Sequence, residues 1–119
     1  MKLIVLFIAV LCMTTTFAQT QTNTPAPAVQ HFAQCMFSIS DQTQLDALTV
    51  EFYNSHPEVE RVRFDMNTQR ALVITTGLIS FTEADFTSWF GQYSSAVTCV
   101  QVGVYGVDVM NSYPFTNCQ

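Results

Sequence analysis

The sequence predicts an α+β fold in which one four-stranded antiparallel sheet carries two helices on a single face. Within residues 31–106, the first and last segments alternate apolar and polar residues as strands do. Between them lie two segments whose apolar residues repeat at helical spacing, and a hairpin. The resulting order is strand, helix, strand, strand, helix, strand. Right-handed crossovers turn two strand–helix–strand units into one sheet with both helices on the same side.

The first strand and helix lie between residues 31 and 55. Residues 31–40, HFAQCMFSIS, alternate in the way a half-buried strand does, with one face made by Ala33, Cys35, Phe37 and Ile39. Asp41 is suited to cap the helix that follows. We expect that helix to end near Ser55, since Pro57 comes two residues later.

A hairpin is predicted over residues 59–76. Its turn centres on Asn67-Thr68, and β-branched and aromatic residues flank the turn on both sides. The register that follows places Asp65 opposite Arg70, Arg63 opposite Leu72 and Arg61 opposite Ile74.

The second helix and the last strand complete the pattern. Thr82 and Asp85 form a capping box, and Phe81 can pack on Phe86 as a hydrophobic staple. An apolar stripe through Trp89 predicts that this tryptophan is buried against the sheet. Residues 96–106 read as the fourth strand, with its helix-facing side made by Val100, Val102 and Val104.

These elements together predict a ferredoxin-like βαββαβ sandwich with strand order 4-1-3-2. Residues 31–106 would form this domain, and residues 107–119 a C-terminal tail. Before the domain, residues 19–30 are rich in Thr, Pro and Gln and contain almost nothing to bury, which predicts a disordered leader.

The first 18 residues have the features of a signal peptide. Lys2 precedes an apolar run that is too short to span a bilayer, and Thr16-Phe17-Ala18 forms a cleavage site with small residues at both required positions. We therefore expect cleavage after Ala18 and export to the periplasm or the medium, with no membrane attachment afterwards.

Charge excludes one class of partner. The chain has a formal net charge of −5, and loss of Lys2 would leave only arginines, three of them, against nine acidic residues. Such a chain repels phosphate backbones and anionic lipid surfaces, so we predict no nucleic-acid partner.

The stretch PEVERVRFDMNTQRALVIT resembles the heavy-metal-associated domain of copper chaperones and metal-transporting ATPases. The resemblance is one of pattern and covers roughly residues 32–105. Matching places are taken by Val59, Val62, Phe64, Asp65 and Ala71-Leu72-Val73.

The family's metal motif, GMxCxxC, lies between the first strand and the first helix. Here that junction reads SISDQTQLDA and contains no cysteine. Cu(I) requires thiolate or thioether ligands, so metal transfer by the family's mechanism is excluded, and Asp41 is better explained as a helix cap. We predict no metal and no cofactor.

No catalytic set is recognisable by spacing, and we predict a protein that is not an enzyme. His31 and His56 have no cysteine or carboxylate at ligand spacing and are expected at the surface. The function we expect is a non-catalytic binding or interaction module with a protein partner.

Two surfaces are candidates for such binding. The sheet face without helices would carry an apolar interaction patch made by Phe32, Met36, Leu72 and Ile74. The tail contains Tyr113 and Phe115 and either folds back over this face or is presented to a partner. Subtilisin propeptides share the fold, are exported and insert a C-terminal tail into the protease, so a protease-inhibitor or propeptide-like module is the alternative function.

Three cysteines remain after cleavage of the signal peptide. Cys99 is expected on the face without helices, where a folded-back tail would bring Cys118, whereas Cys35 is expected in the core. We therefore predict a Cys99–Cys118 disulfide and a buried Cys35 thiol. A Cys35–Cys99 bond and the absence of any bond remain alternatives.

Overall fold

The computed structural model describes residues 28–118. In chain order it contains β1 (Gln30–Phe37), α1 (Gln42–Ser55), β2 (Val59–Asp65), β3 (Arg70–Thr76), α2 (Glu83–Ser88), a 3-10 helix (Gly91–Ala96) and β4 (Val97–Val104). The α+β class with a four-stranded antiparallel sheet is therefore confirmed. The predicted signal peptide, residues 1–18, and most of the predicted leader lie outside the described residues.

The four strands form one sheet in the order β2-β3-β1-β4, and every neighbouring pair is antiparallel. Read from the opposite edge, this order is β4-β1-β3-β2. The two interior strands are thus β1 and β3. The hairpin register is the predicted one, with Arg70 paired to Asp65 across the turn and Leu72 paired to Arg63.

Helix α1 begins where its cap predicts. The Asp41 carboxylate accepts a hydrogen bond from the Thr43 backbone N–H at 2.8 Å, and the helix ends at Ser55. Its apolar stripe, Leu45, Leu48 and Phe52, is buried against the sheet. The cap satisfies one of the free N–H groups at the helix start.

Helix α2 is shorter than the helix that the apolar stripe through Trp89 predicted. Its start has the predicted capping box, in which Asp85 N–H donates to Thr82 Oγ1 at 3.1 Å and Thr82 N–H donates to Asp85 Oδ2 at 2.9 Å. The helix ends at Ser88, and Gly91 then adopts a left-handed backbone with φ +55°. The hydrogen bonding has already tightened before this glycine, since the N–H groups of Trp89 and Phe90 donate to the carbonyls three residues earlier, those of Phe86 and Thr87. The chain therefore continues as a 3-10 helix rather than as further α-helix.

This early ending moves Trp89 to the rim of the core. The prediction that Trp89 is buried is wrong, since the side chain is only half-buried. Its indole stacks on the His56 ring, with centroids 3.9 Å apart, and lies tilted against Phe81 at 4.8 Å. The inner positions belong instead to Phe86 and Phe90, both fully buried.

Phenylalanine rings fill the space between the helices and the sheet. Phe52 lies at the centre, with ring centroids 5.2 Å from Phe90, 5.5 Å from Phe64 and 6.5 Å from Phe86. All three contacts are edge-to-face, an arrangement that aromatic pairs favour. Both helices thus share one core with the same face of the sheet.

His31 also departs from expectation, because it is buried rather than at the surface. It lies opposite Thr75 in the β1–β3 pair and makes an edge contact with Phe81. Within residues 28–118, neither His31 Nδ1 nor Thr75 Oγ1 has a hydrogen-bond partner. The alternation of β1 places His31 on the helix side together with Ala33 and Cys35.

On both outer strands, β2 and β4, side chains form hydrogen bonds with main-chain N–H or carbonyl groups. On β2, the Val62 N–H donates to the Tyr53 hydroxyl at 3.0 Å. On β4, the Val104 N–H donates to Asp108 Oδ2 at 2.7 Å, and the Val100 carbonyl accepts from Asn117 Nδ2 at 3.1 Å.

Candidate binding site on the open face of the sheet

The face of the sheet that carries no helix, here called the open face, contains the four residues predicted as an interaction patch. They do not form a bare apolar surface. Phe32 is 0% exposed and Ile74 is 7% exposed, so neither presents surface to a partner, while Met36 and Leu72 are half-buried. Something other than a helix must therefore cover this face.

The cover is the chain after β4, here called the tail (residues 105–118). It turns back at once, since the N–H groups of Val107 and Asp108 both donate to the Val104 carbonyl. Of the two arrangements expected from the sequence, the structure thus has the one in which the tail folds back over the sheet.

Two glutamine side chains attach the tail to the strands. Gln101 donates to the Val109 carbonyl at 2.9 Å and accepts from the Asn111 N–H at 2.7 Å. Gln34, which is buried, donates to the Asn111 carbonyl at 3.1 Å and to Gln101 Oε1 at 2.7 Å. Each amide joins the sheet to tail backbone, so the middle of the tail is held by hydrogen bonds rather than by apolar packing.

The end of the tail is held covalently. Cys99 and Cys118 form a disulfide, the pairing predicted from the sequence, and Cys35 is a free, buried cysteine. Burial raises the pKa of the Cys35 thiol to about 12. A thiol with such a pKa carries almost no thiolate near neutral pH and is a poor nucleophile.

A bulge in β4 turns Cys99 towards the tail. The β1–β4 register shifts between Gln34 and Met36, and Cys99 has a left-handed backbone with φ +56°. Val100, on the far side of the bulge, packs against the core. An extra residue in one strand changes which face the next side chain takes, and the alternation read from the sequence did not include it.

Phe32 is accommodated by a glycine on the neighbouring strand. It is paired with Gly103, and a Cβ atom built at that glycine would lie 2.8 Å from the Phe32 ring and 3.0 Å from Asp108 Cβ. Any larger residue would collide with the ring. This close approach explains how Phe32 is buried on a face that has no helix.

A groove of about 420 Å³ lies between the tail and the β2–β3 half of the sheet. Arg63 and Arg70 line it on the sheet side, and Asn111 and Tyr113 line it on the tail side. The Arg70 guanidinium lies 4.7 Å from the centre of the Tyr113 ring, and its Nε donates to Thr68 Oγ1 at 3.2 Å. Sequence reasoning missed this groove, because Arg70 and Tyr113 are distant in the chain and no spacing rule joins them.

Two further cavities border the open face. The larger, of about 650 Å³, lies beside the disulfide and the β1–α1 junction and is lined by Met36, Ile39 and Cys118 among others. The smaller, of about 70 Å³, lies between Arg61 and Tyr105. Neither brings two like charges together, whereas the groove contains both Arg63 and Arg70, so the groove is the better candidate site for a charged ligand.

The junction between β1 and α1 provides the N-cap of α1. The Asp41 side chain is engaged as the N-cap, and Ser38 and Ser40 are exposed. Among residues 28–118, no group of three or more His, Cys, Asp or Glu side chains is arranged to hold a metal ion. No helix in this same range is both long and apolar enough to cross a bilayer.

No family model, no curated protein and no solved structure matches this chain. The function must therefore be argued from the groove, the tail and the disulfide themselves.

Proposed function

We propose that this protein is an exported, non-catalytic binding module that uses the groove between its tail and the open face of its sheet. The observation that carries the proposal is the way the tail is held. A disulfide and the Gln34 and Gln101 amides fix it against the sheet, so one wall of the groove is ordered before any ligand arrives. Pre-ordering of this kind lowers the entropic cost of binding.

The fold we propose is the ferredoxin-like sandwich, related in pattern to heavy-metal-associated domains but without their metal site. The element order, the antiparallel pairing and the shared helix core support this assignment. The absence of cysteine from the SISDQTQLDA junction supports a role other than metal transfer. A Cu(I) titration of the reduced mature protein should give no stoichiometric, competitor-resistant complex, and finding one would contradict this assignment.

Export is part of the same proposal. A signal peptide cleaved after Ala18 would deliver the chain to an oxidising compartment, where a disulfide such as Cys99–Cys118 forms and persists. Sequencing the amino terminus of protein recovered from the periplasm or the medium should give Gln19 as the first residue. Retention of the full chain inside the cell would contradict export.

Binding through the groove is tested with two matched tryptophan variants. Ser112→Trp places a bulky ring at the groove, whereas Val50→Trp places the same ring on the exposed surface of α1. Exported proteins of the producing cells are passed over each immobilised variant. We expect at least one to be retained by wild type and by Val50→Trp but lost with Ser112→Trp, and equal retention by all three would contradict use of the groove.

A protease-inhibitor or propeptide-like module is the second candidate, acting through the tail. The observation in its favour is that Val107 and Val109 are 77% and 87% exposed within the segment that the disulfide closes. Inhibition of secreted serine proteases should then fall with Val109→Asp and be unaffected by Ser112→Trp. The opposite dependence, or no inhibition, favours the binding module.

A further inference from the structure

The positive side chains of the described residues all lie on one half of one sheet face. Residues 28–118 contain no lysine, and their arginines are Arg61, Arg63 and Arg70. Val62 and Phe64 pack into the core, so the alternation of β2 directs Arg61 and Arg63 to the open face. Arg70 is paired with Met36 and with Asp65, and its neighbour Ala71 is in the core, so it shares that face.

This concentration contrasts with the rest of the molecule, which is acidic. Of the nine carboxylates, Asp65 alone lines the groove, and its Oδ1 is engaged by the Thr68 and Asn67 N–H groups of the hairpin turn. The Thr68 N–H is the main reason that the pKa of Asp65 lies below its usual range, so this carboxylate is charged. It offsets one of the two arginine charges, and the groove keeps a positive excess.

The two arginines of the groove are available in different ways. Arg70 uses Nε for Thr68 and its flat face for Tyr113, which fixes the plane of the guanidinium and leaves its terminal N–H groups without a partner among residues 28–118. Within residues 28–118, the exposed Arg63 side chain forms no hydrogen bond or ion pair. One oriented and one unengaged guanidinium at a single groove can bind a carboxylate through paired N–H bonds.

We infer that the groove binds an acidic peptide segment, with a side-chain carboxylate held between Arg63 and Arg70; this rests on the function proposed above. The groove volume of about 420 Å³ lies in the range of small-ligand sites, about 300–1,000 Å³. Leu72 and Met110 supply apolar wall beside the charges, which suits the neighbouring residues of a peptide. A densely charged polyanion is a poorer fit, because the whole chain is negative.

The test uses a dye-labelled, C-terminally amidated hexapeptide of alternating Glu and Leu, followed by fluorescence anisotropy with the mature, oxidised protein. We expect saturable binding that weakens about tenfold or more when every Glu is replaced by Gln, and that weakens as salt rises. Equal binding of the Glu and Gln peptides, or no saturable binding, would overturn the inference.

Three arginine variants locate the site. Arg63→Gln and Arg70→Gln should each weaken binding about fivefold to tenfold, because each removes half of the carboxylate grip. Arg61→Gln is the matched control, because it removes the same charge from the strand and face that also carry Arg63. Arg61 itself lines the neighbouring small cavity, so this variant should change binding less than about twofold. Thermal unfolding of each variant shows that it is folded.

Losses of equal size in all three variants would indicate a general charge effect and overturn the assignment to the groove. The outcome is separable from that of the proposed function. If Ser112→Trp abolishes capture of a partner while Arg63→Gln and Arg70→Gln leave peptide binding unchanged, the groove is a binding site for another chemistry.

Discussion

The two faces of this sheet are covered in physically different ways. On the helix side, α1 and α2 bury phenylalanine rings against β1 and β3. Phe52 by itself makes edge contacts to five other aromatic rings of the core and its rim, those of His56, Phe64, Phe86, Trp89 and Phe90. On the open side, no residue of the tail (105–118) is fully buried, Met110 and Phe115 are half-buried, and the tail is attached by amide hydrogen bonds and one disulfide. The helix side gains its stability from apolar burial, whereas order on the open side depends on a covalent link.

This difference indicates which parts of the protein tolerate substitution without loss of the fold. A change in the phenylalanine core alters packing on every strand, because the core is shared by both helices. A change in the tail alters one wall of the groove and leaves that core in place. The binding that we propose thus uses the face whose cover contributes less to folding.

The strongest test of the comparison is Phe52→Ala. Phe52 is 0% exposed and lies at the centre of the aromatic cluster, so its truncation should lower the free energy of unfolding by about 3–5 kcal/mol. Urea unfolding followed by circular dichroism measures the change. Val50→Ala, on the exposed side of the same helix, is the control and should stay within about 0.5 kcal/mol of wild type. A near-wild-type midpoint for Phe52→Ala would mean that the core does not centre on this ring.

The second test breaks the covalent link. Cys118→Ser opens a loop that joins residues 19 apart in sequence, and the free energy of unfolding should fall by about 3 kcal/mol. Chymotrypsin should then cleave after Phe115 faster than in wild type, while Trp89 fluorescence still reports a folded helix side.

Thiol counting on the mature protein is the control for this pairing. Native wild type should give no reactive thiol, and denatured, unreduced wild type should give one, from Cys35, because burial suppresses its thiolate. Three thiols without reduction, or a Cys35–Cys99 peptide in non-reducing mapping, would contradict the disulfide.

The third test removes a hydrogen bond without touching the disulfide. Gln34→Ala takes away the donor to the Asn111 carbonyl and to Gln101 Oε1, and it should lower the free energy of unfolding by about 1–2 kcal/mol. The same chymotrypsin assay should show a smaller gain in cleavage than Cys118→Ser gives. Gln42→Ala, which removes an exposed amide on α1, is the control. A larger gain for Gln34→Ala than for Cys118→Ser would show that the amides, rather than the disulfide, hold the tail.

The smallest effect is expected at the rim of the helix side. Burial is the main reason that the pKa of His56 lies below its ordinary value, with Glu58 and Glu51 acting in the opposite direction. The unfolded chain therefore binds this proton more readily, and the contribution of His56 to stability is present above the ordinary histidine pKa and lost as pH falls.

This pH dependence is measured as the difference in unfolding free energy between wild type and His56→Gln, which should shrink from about pH 7.5 to about pH 5. Trp89→Ala removes the stacked ring and should return the pKa of His56 towards its ordinary value in an NMR titration. An unchanged pKa in that variant would mean that Trp89 does not shield the imidazole.

Local signals predicted much of the fold. The Asp41 cap, the Thr82–Asp85 capping box and the turn at Asn67-Thr68 each depend on residues a few positions apart, and all are present in the structure. Chemistry at such short range does not require knowledge of the rest of the molecule.

Expectations failed where one residue changed the path of the chain. Helix α2 ends at Ser88, so Trp89 lies at the rim of the core. The bulge at Cys99 was also absent from the alternation read from the sequence, although it left Cys99 on the expected face. The groove was missed for a different reason, since its walls come from β2, β3 and the tail. The pairing of Cys99 with Cys118 was nevertheless accessible, because it follows from which face each segment occupies.

The side chains along the two outer strands have a consequence for how the molecule behaves at high concentration. An unpaired strand edge is a template on which another chain can add, and such addition is a common route to fibrils. Here the Tyr53 hydroxyl occupies the Val62 N–H, while Asp108 and Asn117 occupy groups on β4. A strand from another chain would first have to displace these side chains. The tail that forms one wall of the groove therefore also protects one edge of the sheet, that of β4, from self-association.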